Sequence, residues 1–315
     1  LIKLLLKKKF EVLNIDKLSY AAQKYNLKDI KNKSYLFKKI DINNKKKILK
    51  ILKSYKPHGI FNLAADTHVD RSIEGSFNFI KNNILGVYNL LEAIKDYNKK
   101  TRLIHISTDE VYGDIKDPLK SSENFPYTPS SPYSASKAAS ESICESYCNT
   151  YGIPIVITNT MNIIGERQHA EKFIPKVIKS ILNKEKIHIH CYPDRKKAGS
   201  RFYIHARNVA DAFIFVLKNT EEILDSHDSS IGRYNISGCK ELSNLEVVQR
   251  ISKIMGEKAI YEMTDYHSKR PAHDLRYALN GDKLENLGWK VPVDFNKTLE
   301  KTIDWTLENK HWLEE

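Results

Sequence analysis

The chain has 315 residues, 41% of them hydrophobic and 29% charged. At about 150 residues per domain this is enough for two domains, or for one α/β core with a smaller lobe. No apolar run approaches the roughly 18 to 20 residues that a membrane helix needs, and the apolar content is too high for a disordered chain. Lys and Arg number 51 against 39 Asp and Glu, a net charge of +12. The lysines are scattered over segments such as Lys45 to Lys53 and Lys95 to Lys100. That is the pattern of solvated helix faces, not of a nucleic-acid surface. The four cysteines form no CxxC or Cys/His spacing, so neither a disulfide scaffold nor a zinc site is expected, and a reducing, cytoplasmic setting is. LIKLLLKKKF lacks the order of a signal peptide, because its charges follow its apolar residues.

Periodicity gives alternating short strands and helices through the first half. Leu1 to Lys9 reads as the end of a helix, Phe10 to Asp16 and Tyr35 to Ile42 as strands, and Asn44 to Tyr55 as a helix. The buried strand Gly59 to Ala65 follows Pro57, and a long helix runs from about Phe77 to Tyr97. Next come the strand Arg102 to Thr108, a helix from Tyr133 to Tyr151 and the strand Ile153 to Asn159. Near-continuous apolar strands separated by helices predict a Rossmann-type, doubly wound α/β fold with a parallel sheet covered on both faces. After Gly165 the pattern changes to a helix (Glu171 to Asn183), a short strand (Ile187 to His190), a Pro/Arg/Lys/Gly loop and mixed elements. The expected division is a dinucleotide-binding domain over residues 1–165 and a smaller, mainly substrate-binding lobe over 166–315, some of whose segments return to the first domain.

The chemistry-bearing pattern is Tyr133-x-x-x-Lys137 at the start of a helix, preceded by Thr108, Asp109 and Glu110 at the end of a strand. Residues four apart share a helix face, so the ammonium can sit beneath the phenol, favour phenolate and lower its pKa toward neutrality. A phenolate placed there can take the proton of an alcohol as hydride leaves its carbon. Ligands bind at the carboxyl ends of strands in open α/β sheets, which is where the carboxyl pair lies. Two carboxyl groups of opposed protonation state supply the base and the acid that eliminating water beside a ketone requires. Asp16 ends a strand where an acid accepts hydrogen bonds from adenosine ribose hydroxyls, which favours NAD over NADP.

STDEVYG (Ser107 to Gly113), SPYSASKAASE (Ser131 to Glu141), LAADTHVDRSI (Leu63 to Ile73), RPAHDLRYALN (Arg270 to Asn280) and LGW (Leu287 to Trp289) carry a family resemblance, in order and over essentially the whole chain. The chain resembles the nucleotide-sugar 4,6-dehydratases, typified by dTDP-glucose 4,6-dehydratase, of the extended short-chain dehydrogenase/reductase superfamily. Related epimerases usually lack the Asp109-Glu110 pair. The resemblance implies Tyr133, assisted by Lys137 and Thr108, as the base at O4, Glu110 as the base at C5 and Asp109 as the acid at the C6 hydroxyl. It implies NAD, with Asp41 and Ile42 at the adenine and Leu63, Ala64 and Ala65 beside the pyrophosphate. For the substrate it implies Arg201 and Arg270 at the diphosphate, with Asn162, Glu171, Lys172 and Asn235 nearby. It also implies a homodimer built from the helices near 77–97 and 133–151. Competing readings are a C4-epimerase or decarboxylase on the same fold, which the carboxyl pair opposes, and a non-catalytic NAD-binding or RNA-binding member.

A Rossmann unit begins with a strand, a GxxGxxG turn and a helix, and this sequence begins inside that helix. The expectation is that such a strand and turn lie upstream of Leu1. The substrate lobe departs from the family pattern at Ile163, Ile164, Glu166 and Arg167, and in a longer loop from Cys191 to Arg201. Those departures shift the expected substrate from dTDP-glucose toward a UDP-linked hexose, UDP-N-acetylglucosamine or UDP-glucose. His188 and His190 lack a third ligand, so no metal is expected. Cys144 and Cys148 read as packing on the Tyr133 helix.

Overall fold

The computed structural model describes residues 1–225, 231–265 and 274–314. The chain opens with helix α1 (Ile2–Lys7), strand β1 (Val12–Asp16) and strand β2 (Tyr35–Lys39). Helix α2 (Lys45–Tyr55) starts where the Asn44 side chain accepts the Lys47 amide, and ends at Lys56 in the left-handed region just before Pro57. Strand β3 (Gly59–Asn62) and helix α3 (Val69–Glu74) follow. The long helix foreseen over 77–97 is continuous but not uniform: α4 (Phe77–Phe79) and α5 (Gly86–Tyr97) flank a π-helical stretch, Ile80–Leu85. Strand β4 (Arg102–Thr108) then runs into a 3-10 turn, Asp109–Tyr112.

Helix α6 (Pro132–Tyr151) has the most strongly defined ends in the chain. Pro132 occupies its first turn, Ser131 and Ser134 cap each other reciprocally, and Gly152 closes it in the left-handed conformation. It is followed by β5 (Ile155–Thr160), β6 (Asn162–Ile164), α7 (Phe173–Leu182), β7 (Lys186–Cys191) and β8 (Ser200–His205). The remaining elements are α8 (Ala206–Lys218), α9 (Thr220–Asp225), β9 (Ile231–Ile236), β10 (Glu241–Ser243), α10 (Asn244–Met255), β11 (Ile260–Asp265), β12 (Arg276–Tyr277), α11 (Asp282–Asn286) and α12 (Phe295–Glu308).

The parallel architecture is as expected, but the strands form two ladders: β1 pairs with β2, and β3-β4-β5-β9 form a second parallel sheet. The expected strand over Tyr35 to Ile42 stops at Lys39, and that over Gly59 to Ala65 stops at Asn62, which leaves Asp41, Ile42 and Leu63 to Ala65 in loops at strand ends. β9 joins this sheet from the second half of the chain, pairing Asn235 with Asn159 of β5. Helix α8 also packs back on it: Phe213, Val209 and Val216 share a core with Ile104, Val156 and Ile236. The opposite face is covered by α2, α5 and α6 through Ile48, Leu91, Ile94, Cys144 and Cys148. The two cysteines are therefore packing residues. A third core under α7, α10 and α12, with Ile178, Val248 and Ile303, holds the lobe formed by the shorter β-ladders.

Candidate active site

The β4 ladder delivers Thr108, Asp109 and Glu110 to the carboxyl end of the sheet, and the first turn of α6 delivers Tyr133 and Lys137. Thr108, Asp109, Tyr133 and Lys137 are each at most 7% exposed, and Glu110 is half-buried. The Thr108 hydroxyl donates to Asp109 Oδ1 (3.0 Å) and accepts the Glu110 amide (3.2 Å), fixing the two carboxyl groups with respect to each other. Burial pushes both Asp109 and Glu110 up to about 7, and the charge of Asp109 adds to the rise at Glu110. Ionising one of the pair makes ionising the other harder, so near neutral pH the two hold about one proton between them. One acid and one base at adjacent positions is what the elimination requires.

The expected lowering of the Tyr133 pKa by Lys137 is not what the structure shows. Burial and the neighbouring Glu110 carboxyl raise it, and only the Thr108 hydroxyl favours the phenolate. The reason is that the Lys137 ammonium is engaged elsewhere, donating to the Ile106 carbonyl at 2.7 Å, and burial lowers it to about 8. Beneath Lys137, His105 is fully buried between Asn62 Nδ2 (3.2 Å) and Ser140 Oγ (3.1 Å). Burial and the nearby Lys137 and Arg233 charges keep the ring neutral.

Of the substrate-binding candidates, Lys172 is half-buried and its ammonium faces Glu110, Glu171 and Asp70. Arg201 is stacked on Tyr277 (4.3 Å to the ring centroid) and donates to the carbonyls of Leu275 (2.5 Å) and Asp274 (2.6 Å). That stacking sets a planar cation beside the carboxyl pair, where its charge acts on both. Asn162 is half-buried at the start of β6, and its amide makes no hydrogen bond among the described residues. One candidate needs correction. Asn235 is fully buried with its side-chain N–H groups on the carbonyls of Ser121 (3.0 Å) and Asn280 (3.1 Å), so it has no donor left for a ligand. Glu171 is exposed and pairs with Arg71 (2.5 Å) and His68 (3.2 Å), both from the LAADTHVDRSI motif, one on each carboxylate oxygen, which leaves each oxygen further acceptor capacity. Arg270 lies outside the described residues.

The departures at 163–167 also prove to be packing features. Ile164 is core, and Ile163 packs on the core under α8. Glu166 accepts from His205 Nε2 (3.0 Å) and Arg207 (2.7 Å), which hold its carboxyl down at about 2. Arg167 reaches across to the Asn26 carbonyl and Asp29 (3.4 Å). The loop from Cys191 is a short hairpin, turned at Arg195 and closed by the Cys191–Ala198 bridge.

Sequence reading missed the polar pair in the π-helical stretch. Asn83 is fully buried and donates to Ser136 Oγ (2.9 Å) and the Asp66 carbonyl (3.0 Å), and Asn82 donates to Asp66 Oδ2 (2.5 Å). These bonds lock the chain beyond β3 onto α6 three residues past Tyr133. Two adjacent asparagines inside an apolar helical pattern were the available signal, and π-helical turns concentrate at functional sites.

For a dinucleotide the two ends of the site are present. Asp16 is exposed at the end of β1 with one carboxylate oxygen on the Leu18 amide (2.6 Å), leaving acceptor capacity for ribose hydroxyls. The Asp41 carboxylate is fixed by the backbone and side chain of Asn43 (2.8 and 3.0 Å), which outweigh burial and lower its pKa. Ile42 lies against α5 at Gly86, where a Cβ would come within 2.6 Å of its Cδ1. Leu63 and Ala64 are exposed at the end of β3, and Ala65 is half-buried. Asp16, Asp41 and Ile42 suit the adenosine half, Leu63 to Ala65 lie at the strand end expected beside the pyrophosphate, and Tyr133 and Lys137 suit the nicotinamide half. The pyrophosphate has no glycine-rich turn within the 315 residues. Among the described residues no cluster of His, Cys, Asp and Glu could hold a metal, and no helix is long and apolar enough to cross a membrane.

Comparison with known proteins accords with this geometry. The family model described as GDP-mannose 4,6 dehydratase matches residues 1–302. The dTDP-glucose 4,6-dehydratase of Haemophilus influenzae is 39% identical over 95% of this chain and 90% of its own length. The Escherichia coli dTDP-glucose 4,6-dehydratase 1 is 36% identical over 96% of this chain and 87% of its own. Among solved structures, DesIV, the dTDP-glucose 4,6-dehydratase of Streptomyces venezuelae with NAD and TYD bound, superposes with a TM-score of 0.89 at 32% identity, covering 99% of this chain and 94% of that one. With the carboxyl pair, the Tyr/Lys helix and a match along nearly its full length, the chain belongs to the dTDP-glucose 4,6-dehydratase-like family of extended short-chain dehydrogenase/reductases, NAD-dependent hydro-lyases acting on nucleotide sugars.

Proposed function

We propose that this enzyme converts dTDP-glucose to its 4-keto-6-deoxy sugar. The observation that carries the reading is the carboxyl pair Asp109/Glu110 held together by Thr108 and raised toward neutrality beside Tyr133. Support for this particular sugar comes from the relatives named above, all described as dTDP-glucose enzymes. The departures behind the expected shift toward UDP sugars weigh less in the structure, because Ile163, Ile164, Glu166 and Arg167 are engaged in packing and ion pairs and the loop from Cys191 to Gly199 is a short hairpin.

NAD would be held at its ends by Asp16, Asp41 and Ile42 and by Tyr133 and Lys137, and would supply the hydride acceptor for oxidation at C4 and the hydride donor after water has left. Tyr133 takes the O4 proton, with Thr108 favouring the phenolate. With the pair's shared proton on Asp109, the Glu110 carboxylate removes the C5 proton that the ketone has acidified, and Asp109 gives its proton to the departing C6 hydroxyl; because both groups lie at about 7, moving the proton from one to the other costs little. Arg201 and Lys172 present cations to the diphosphate, and Asn162 offers an unengaged amide. Residues 1–165 serve mainly the cofactor and 166–315 mainly the sugar, and the Lys/Arg/Asp/Glu distribution and cysteine usage suit a cytoplasmic enzyme.

A homodimer completes the proposal. Phe77 (71% exposed), Ile80, Leu85 and Tyr88 project from the helix over 77–97, with Tyr151 at the end of α6 beside them. An apolar face of this size on a water-soluble chain needs a cover, and a second copy supplies one. The substrate test is incubation with NAD and dTDP-glucose, UDP-glucose or UDP-N-acetylglucosamine, scored by mass spectrometry for loss of one water. A preference for either UDP sugar in kcat/KM overturns the assignment of the sugar and leaves the reaction class standing.

A further inference from the structure

Glu141 lies one helical turn beyond Lys137 on α6 and is fully buried. A buried carboxylate costs several kcal/mol unless its lone pairs are filled, and here the fold fills them from four directions. Ser107 Oγ of β4 and Asn159 Nδ2 of β5 (2.9 Å) donate to Oε1, while the Tyr127 hydroxyl and Arg233 Nη1 of β9 donate to Oε2. Asn159 also donates to the Thr108 carbonyl at 3.1 Å, and its own Oδ1 is buried with no partner. The amide is thus turned to serve Glu141 and Thr108 at the cost of its carbonyl. Ser107 and Asn159 together bind Glu141 to both sides of the residue that orders the carboxyl pair.

We infer that Glu141 is a positioning residue for the dehydration: one helical turn beyond Lys137, it locks the Ser107–Thr108 end of β4 onto α6 and so fixes the surroundings of the Lys137 ammonium. The charged and titratable groups around it are Lys137, Cys144 and Glu145 on its own helix, Arg233 on β9, Tyr127 before α6, and Tyr112 and His105 on the β4 side. Burial drives Lys137 down and Glu141 is the first group acting against that fall, while burial also raises Glu141 itself to about 7, so its charge bears fully on Lys137 only above that pH. His105 and Ser140 contribute no charge there: the neutral ring donates to Ser140, which donates to the Lys137 carbonyl (2.7 Å). The inference rests on the proposed roles of Tyr133 at O4 and Lys137 at the nicotinamide end of the cofactor, and it does not depend on which sugar is bound.

The test follows the titration of Lys137 by carbon-13 NMR of protein with labelled lysine, assigned with Lys137→Met, in the absence of substrate. In Glu141→Gln the Lys137 midpoint should fall by about one pH unit or more, the effect of removing an opposite charge at close range. The alkaline limb of the kcat profile should move down with it while KM changes little, and Glu141→Asp should restore the midpoint. A folded Glu141→Gln protein whose Lys137 midpoint and alkaline limb coincide with those of the wild type overturns the inference. Should that variant fail to fold, the wild type decides: the Lys137 signal should respond at the pH where the Glu141 carboxyl ionises, and independence of the two titrations overturns it. Because the NMR readout needs no turnover, an inactive wild type would count against the proposed substrate and not against the role of Glu141.

Discussion

Two sets of acidic residues in this protein show opposite electrostatics. Just after β4, Asp109 and Glu110 are pushed up to about 7, chiefly by burial, and the Arg201 cation acts on both without a direct bond. In the segment after β6, Glu166 is held at about 2 by direct bonds from His205 and Arg207. The side-chain type is the same and the difference is the partner. A carboxylate with one oxygen on an imidazole N–H and the other on a guanidinium has no reason to take a proton near neutral pH. The pair on β4 sits with unfilled capacity in a closed site, which is the condition for acid-base work.

The sharpest way to break this comparison is to remove the groups assigned to proton transfer. Tyr133→Phe should lower kcat at least ~100-fold, since a positioned general base contributes roughly 10² to 10⁴. Glu110→Gln should do the same and should also abolish incorporation of solvent deuterium at C5, followed by mass spectrometry in D2O. Near-wild-type turnover of folded Glu110→Gln would show that the carboxyl pair is no more functional than Glu166, and near-wild-type turnover of folded Tyr133→Phe would remove Tyr133 as the base at O4.

Most of the catalytic set was legible in the sequence because its spacing is local. Tyr133 and Lys137 are tied by helix geometry, and Thr108, Asp109 and Glu110 are contiguous. The electrostatics were not legible, because they depend on where each group's hydrogen bonds go: Lys137 points its ammonium at the Ile106 carbonyl, and Tyr133 is raised, not lowered. Long-range pairings were equally hidden. Arg71 and Glu171 are 100 residues apart and Asn235 and Ser121 are 114 apart, so nothing in the local pattern shows that these two substrate candidates already have partners. The π-helical turn at Ile80–Leu85 kept the 77–97 helix looking regular while rotating Asn82 and Asn83 into the interior.

A smaller effect separates the two regions by stability. Asp109 titrates at about 7 in the folded protein, above the ordinary carboxyl range of an unfolded chain. Between those values the folded state binds more protons than the unfolded one, so its contribution is full below about pH 4 and is lost as pH rises through 7. Asp109→Asn removes that loss. It should raise the thermal midpoint at pH 8, by an amount equivalent to at most roughly 4 kcal/mol, while leaving it nearly unchanged at pH 4. Differential scanning calorimetry at the two pH values checks this, and an equal shift at both would show that burial is not what raises the group.

The mirror-image prediction concerns Glu166. Its folded value, about 2, lies below the unfolded one, so its contribution is present above about pH 4.5 and is lost as pH falls through 2. The carboxylate is 15% exposed and anchors His205, which caps α8 by accepting the Arg207 amide (3.1 Å). Glu166→Gln keeps the shape of the side chain but breaks the charge-assisted bonds, so it should cost about 1 to 2 kcal/mol at pH 7, measured by urea denaturation, and much less near pH 2. Because neither Glu166 oxygen is free to meet a ligand, kcat and KM for the nucleotide sugar should stay within about twofold of the wild type. A KM that rises severalfold without loss of stability would place Glu166 at the sugar after all, and would return the substrate question to the departures at 163–167.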